Sequence, residues 1–198
     1  MHDLAVKHEV SKVAGDEQNA QGLYASILTK AKKLQLLILD VDGVLTDGKL
    51  FFDAAGVEYK AFHARDGHGI KLLQQSGVKV AIISGRKSAS VALRMQSLGV
   101  GLVYQGHENK LAAFNEILQR LTLTPEQVAY VGDDILDLPI MIKAGLAIAV
   151  QDAHFVVKQH AHWCTQLQGG NGAVREVCDL IMQAQGTFDA AVNQYLIC

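Results

Sequence analysis

The sequence predicts an α/β fold built on a doubly wound parallel sheet. Three observations predict it. Short continuous apolar runs recur along the chain, at Leu36–Leu39, Val78–Ile83, Val128–Val131 and Leu146–Val150, the pattern of strands buried on both faces. Each run stops abruptly, in Asp40-Val41-Asp42-Gly43, Ser84-Gly85, Gly132-Asp133-Asp134 and Gln151-Asp152 respectively. Helical patterns fill the intervals between several of these runs, which is the spacing of right-handed βαβ units. In such a sheet ligands bind at the carboxyl ends of the strands, and every one of these clusters falls at such an end.

Along the chain, residues 1–33 are polar, with Leu23, Ile27 and Leu34 spaced like one face of a short helix, a lead-in rather than a domain. The main domain spans 34–186. Directly after the first strand, residues 49–62 hold two β-rich halves around a turn containing Gly56, which reads as a β-hairpin. Residues 86–98 form a helix closed by Gly99, and 108–121 form another. Thr124-Pro125-Glu126-Gln127 resembles a capping box, but it sits so close to the next strand that a single turn is expected. The glycines from Gly169 to Gly172 read either as a turn before a final helix or as a hinge near the site. Residues 187–198 form a C-terminal tail. No repeat, low-complexity tract or linker is present.

The composition is that of a globular domain, 49% apolar and 19% charged over 198 residues. A net charge of −2 gives no general attraction to nucleic acid or to an anionic membrane. No apolar run approaches the roughly 18 residues needed to span a bilayer. The opening MHDLAVKHEV is interrupted by charge and does not read as a signal peptide. Cys164, Cys178 and Cys198 are an odd number without paired metal spacing, and they read as free thiols. A cytoplasmic protein is expected.

The chemistry concentrates at the strand ends. Asp40 and Asp42 are two apart, so two carboxylates can project together from one strand end, one as nucleophile and one handling protons. Taken singly, the companion residues have plain structural readings: Ser84 as a helix cap, Lys110 as a solvated lysine, Asp133 and Asp134 as caps of the following helix. Their joint placement in this order argues for a site. His154, His160, His162 and Cys164 match no standard zinc spacing, Gly67-His68-Gly69 is too short for a phosphate cradle, and Trp163 and residues 138–142 read as packing.

DVDGVLTD, IISGR, the isolated Lys110 and VGDDILD together resemble the four motifs of haloacid dehalogenase-type phosphatases. The resemblance implies a Rossmann-like core and a Mg2+-dependent aspartyl-phosphate mechanism. Asp40 matches the nucleophile and Asp42 the acid/base. Ser84, Gly85 and Lys110 match the phosphate-binding groups, and Asp133 joins Asp40 and the Asp42 carbonyl as metal ligands. The chemistry explains these types: a phosphate dianion repels a carboxylate, so a hard cation taking about six oxygens must bridge them. Lysine and the hydroxyl then hold the remaining oxygens. Asp42 must be protonated when the alkoxide leaves, which calls for a raised pKa supplied by anionic neighbours. Asp134 and Asp137 are expected to support these groups from behind.

Neither interval between the motifs can house a cap domain. An open site would be poorly selective, so subunits are expected to cover one another, with the hairpin's Phe51, Phe52, Tyr59 and Phe62 at the interface. The capless layout, with KAFHARDGHGIK, SGRKS, YQGHENKL, AYVGDD and GGNGAVREVCDLI, resembles the phosphatases that release 3-deoxy-D-manno-octulosonate from its 8-phosphate for lipopolysaccharide biosynthesis. That resemblance implies a homotetramer. It also implies an acidic sugar phosphate held by His63, Ala64, Arg65, Asp66, Gly67, Lys71, Arg86 and Arg94. Lysine at 71 carries charge without the planar fork of an arginine. An acylneuraminate 9-phosphate phosphatase would use the same apparatus. A receiver-like signalling module would place its paired acids and its acceptor on different strands, whereas here they share one.

Overall fold

The computed structural model describes residues 21–196. Residues 1–20 of the lead-in, together with Ile197 and Cys198 of the tail, lie outside them. Residues 21–31 are helical (α1), burying Ile27 and Ala31, whereas Leu23, expected on the same face, is exposed.

The sheet is formed by β1 (Leu36–Leu39), β4 (Lys79–Ser84), β5 (Leu102–Gln105), β6 (Val128–Gly132), β7 (Leu146–Ala149) and β8 (Trp163–Cys164). Its order is β5-β4-β1-β6-β7-β8, and every pairing is parallel. Leu36–Leu39 is hydrogen-bonded to β4 on one side and β6 on the other, with all four side chains fully buried. The chain builds outward from β1 to β5, then returns to β6 on the other side. The order therefore reverses at β1, and a crevice opens there above the strand ends. The four apolar runs correspond to β1, β4, β6 and β7. The edge strands β5 and β8 are half-solvated, so they lack the continuous apolar run that marked the others.

Helices cover both faces: α2 (Ala64–Gln75), α3 (Ala89–Leu98), α4 (Lys110–Leu121), α5 (Leu138–Met141), α6 (Phe155–His160), α7 (Ala173–Gln185) and α8 (Phe188–Asn193). The helix expected from 86 begins at Ala89, and Gly99 closes it in the left-handed conformation. The helix expected from 108 begins at Lys110, because the Asn109 side chain accepts the Ala112 N–H and caps it there. Pro125–Gln127 is a single 3-10 turn with a reciprocal capping box. Within the stretch 138–142, Ile140 and Met141 are buried but Ile142 is exposed.

The hairpin is short: β2 (Phe51–Phe52) pairs antiparallel with β3 (Glu58–Tyr59), Phe51 opposite Tyr59. Asp53 closes its loop by accepting the N–H groups of Ala55 and Val57. Phe51, Phe52, Val57 and Tyr59 stand exposed, but Phe62 turns back onto the core, contrary to the expectation that it adds to the outer apolar face. No cap domain interrupts the described residues, and none of their helices is long and apolar enough to cross a membrane.

Helix α7 lies against α2, and Asp66 in the first turn of α2 caps it. The buried Asp66 carboxylate accepts the N–H of Arg175 at 2.8 Å and of Gly172 at 3.3 Å. Asp66→Ala strands both amides and is expected to lower the unfolding free energy by about 1–3 kcal/mol, read as a lower urea midpoint at unchanged slope.

Candidate active site

Three adjacent strands deliver the central groups. Asp40 follows β1, Ser84 ends β4, and Asp133 follows β6. Lys110 enters from the first turn of α4. Its ammonium, only 5% exposed, lies 2.8 Å from an Asp40 oxygen and 2.7 Å from Oδ1 of Asp137. Asp137 is fully buried and fully used: Tyr130 donates to its Oδ1 at 2.6 Å, and the N–H groups of Asp133 and Asp134 donate to its Oδ2 at 2.9 and 3.2 Å. It thus fastens Lys110 to the loop after β6. Asp134, expected to support these groups too, is instead exposed, and its carboxylate accepts the Ile135 N–H at the cap of the following 3-10 turn. Asp133 does otherwise, since its Oδ1 is buried with no partner.

One oxygen each of Asp40, Asp133 and Asp137 lies within 4.8 Å of the others. Lys110 is shared between Asp40 and Asp137, so one ammonium faces three carboxyl groups and the cluster is short of positive charge. Burial, reinforced by Asp40 and Asp137, pushes the Asp133 carboxyl up to about 8. Burial and Asp137 hold Asp40 well above the usual carboxylate range against the opposing pull of Lys110. For Lys110 the two carboxylates outweigh burial, and its pKa is raised. An oxygen donor set with surplus negative charge and an unpartnered inward-facing oxygen fits a hard divalent cation. Gly43 makes the crowding possible: at φ +87° any side chain would strain the backbone, and its Cβ would displace the Asp133 carboxylate.

A cleft of about 240 Å³ opens over these groups and is lined by Asp40, Asp42, Ser84, Gly85, Arg86, Lys110, Asp133 and Asp134. The surroundings of Asp42 differ from expectation. In place of anionic neighbours, it is ion-paired with Lys60 of the hairpin, and Arg86 lies 3.9 Å away. Glu58 sits behind both cations, 3.2 Å from Lys60 and 2.7 Å from Arg86. Lys60 and Glu58 escaped the sequence reading, as did Tyr130. The signal for the first pair was there, in the alternation of Glu58-Tyr59-Lys60 that puts two opposite charges on one face of a strand.

The remaining residues expected to hold a sugar do not line this cleft. His63 occupies the N-cap of α2 with its Nδ1 buried and unpartnered. Ala64 and Arg65 are exposed on the first turn of α2. Gly67 leaves room for the Arg94 guanidinium, which also lies 6.0 Å from the centre of the Phe62 ring. Lys71 is exposed further along α2. Asp66 is corrected outright, since its carboxylate is taken up by the cap of α7. The 169–172 segment is the turn before α7, and it is braced on the active-site loop through a Gly170 N–H to Val44 carbonyl bond of 2.9 Å.

A parallel sheet with an aspartate, a hydroxyl, a buried lysine and a further aspartate on neighbouring strand ends defines an enzyme of the haloacid dehalogenase-like hydrolase class. The model of that family, described as haloacid dehalogenase-like hydrolase, matches residues 100–177. Among curated proteins, the 3-deoxy-D-manno-octulosonate 8-phosphate phosphatase KdsC of Escherichia coli strain K12 is 51% identical over 170 residues, 86% of this chain and 90% of that one. Among solved structures, the 3-deoxy-D-manno-octulosonate 8-phosphate phosphatase of Yersinia pestis has a TM-score of 0.82 at 47% identity, covering 83% of this chain and 89% of its own. The Moraxella catarrhalis phosphatase, solved in complex with magnesium ion, phosphate ion and KDO, has a TM-score of 0.84 at 41% identity, covering 85% and 97%. The chain belongs to this family of phosphatases.

The raised carboxyls set a pH dependence of stability. Asp133 binds a proton more tightly when folded, up to about 8, than at its ordinary 3.8, and Asp40 is displaced in the same direction. Across that interval the folded chain holds protons the unfolded chain has released, so stability falls as pH rises. In metal-free buffer the thermal midpoint is expected to drop between about pH 5 and about pH 8, and Asp133→Asn to flatten the drop.

Proposed function

We propose that this chain hydrolyses 3-deoxy-D-manno-octulosonate 8-phosphate to the free sugar acid and inorganic phosphate through an aspartyl-phosphate on Asp40. The observation that carries the reading is an Asp40 carboxylate held 2.8 Å from a buried lysine, in one cleft with Ser84 and Asp133. The 51% identity to the Escherichia coli phosphatase supports the choice of sugar. On the same resemblance we place the reaction in the cytoplasm, as a step of lipopolysaccharide biosynthesis.

The phosphate enters the cleft with its oxygens against the Lys110 ammonium, the Ser84 hydroxyl and the Gly85 amide. Asp40 and Asp133, with the backbone carbonyl of Asp42, would hold Mg2+, which when bound offsets the repulsion between carboxylate and phosphate dianion. The Asp40 oxygen forms a bond to phosphorus while the bond to the sugar oxygen breaks, and Asp42 supplies the proton that this alkoxide takes up. Asp42 then accepts a proton from the water that attacks phosphorus, which frees phosphate and restores Asp40. Asp137 never touches substrate in this scheme. It keeps the lysine aimed and the loop after β6 in place.

The other end of the sugar carries a carboxylate and needs its own cation. Arg86 reaches the cleft of its own chain, whereas Arg65, Lys71 and Arg94 do not line it. A subunit-shared site accounts for that division, with a neighbour's first turns of α2 and α3 closing the cleft. The exposed Phe51, Phe52 and Tyr59 supply an apolar contact for such an assembly. We propose a homotetramer built this way.

Phosphate release from the eight-carbon sugar phosphate is expected to require Mg2+ and to be abolished by Asp40→Asn with the fold retained. The nine-carbon acylneuraminate 9-phosphate, assayed alongside, is expected to turn over far more slowly, and a preference for it would reverse the substrate assignment. Light scattering is expected to give a tetramer mass. Charging the hairpin with Phe51→Lys and Phe52→Lys should give smaller species with a raised KM.

A further inference from the structure

The hairpin does more than present an apolar face. We infer that Lys60 is a positioning residue for Asp42, and that Glu58 is the brace which holds Lys60 and Arg86 in place. This rests on the acid/base role proposed for Asp42.

Four observations carry it. The Lys60 side chain is only 2% exposed, although lysine ordinarily keeps its ammonium in water. A buried ammonium must be compensated, and the carboxylates that pair with it are Asp42 and Glu58. Glu58 in turn receives Arg86 at 2.7 Å, so one hairpin carboxylate orders two cations that converge on Asp42. Finally, Asp42 sits in the tight turn just past the end of β1, and its carboxylate is only partly buried. A side chain so placed samples several rotamers unless something outside its own segment selects one. Lys60 does this from 18 positions along the chain. Because Lys60 follows β3 directly, the same short segment carries Tyr59 of the outer apolar face and the group that aims Asp42. The segment that presents Tyr59 outward therefore also fixes the direction of the Asp42 carboxylate.

The test separates positioning from general damage by the leaving group. A sugar alkoxide needs a proton as it departs, whereas 4-nitrophenolate leaves without one. In single-turnover experiments with Mg2+, Lys60→Met is expected to slow leaving-group release from the sugar phosphate by about 10- to 100-fold, with 4-nitrophenyl phosphate slowed less than about threefold. Lys60→Arg should recover most of the loss. Glu58→Gln should give a smaller loss of the same selectivity, and it carries the comparison if Lys60→Met does not fold. Equal slowing of both substrates, a change confined to KM, or no change in either variant overturns the proposal. Asp42→Asn is measured beside them. If it shows the selective loss and the Lys60 and Glu58 variants do not, the positioning role alone fails. If Asp42→Asn releases the sugar at the normal rate, the acid assignment fails and this proposal falls with it.

Discussion

The site depends on one buried ammonium. Lys110 sits between Asp40 and Asp137, almost out of contact with water, with its ammonium in hydrogen-bonding reach of both carboxylates. Burying an ion costs several kcal/mol unless close partners compensate, so the three groups are worth keeping only together. Asp137 makes the arrangement one-directional. Its other hydrogen bonds come from Tyr130 in β6 and from the loop that follows, so it anchors the lysine to that strand while Asp40 lines the cleft. The result is a carboxylate that is accessible, oriented and partly neutralised before any substrate arrives, which is the preorganisation phosphoryl transfer asks of a protein.

The backbone around this pair is packed tightly enough to need glycine. Gly43 gives way to the Asp133 carboxylate, and Gly169 gives way to the carbonyl of Gly43, which a Cβ would approach to 1.7 Å. The loop after β1 is therefore pressed between the loop after β6 and the turn before α7. That turn is tied to α2 through Asp66. A feature first read as sugar recognition is thus a structural strut, one that passes rigidity from the α2–α7 layer to the loop bearing Asp42.

The same loop leads into the hairpin, which replaces the bulk of a cap domain with about a dozen residues. Phe51 and Tyr59 stand exposed on one face, whereas the face that pairs Phe52 with Glu58 brings Glu58 and the following Lys60 to Asp42 and Arg86. Alternation along a strand places these two faces back to back. A small element can therefore present apolar surface on one side and order the charged groups of the cleft on the other.

The order of the strands' apolar runs and the residues at their ends were legible without coordinates. A strand buried on both faces must be continuously apolar, and a loop that does chemistry must break that run with acids, hydroxyls or glycine; Asp40, Ser84 and Asp133 satisfied both conditions. The edge strands at Leu102–Gln105 and Trp163–Cys164 were not legible, since a half-solvated strand has no such signature. The role of Asp66 could not be read either, because the amides it accepts from are more than 100 positions away. Nor could the neighbours of Asp42, which turned out to be cations. Local pattern records what each segment buries, and that was enough for the fold and the main acids. Which charge meets which is settled only when distant segments pack, because Coulomb forces act across space without regard to sequence separation.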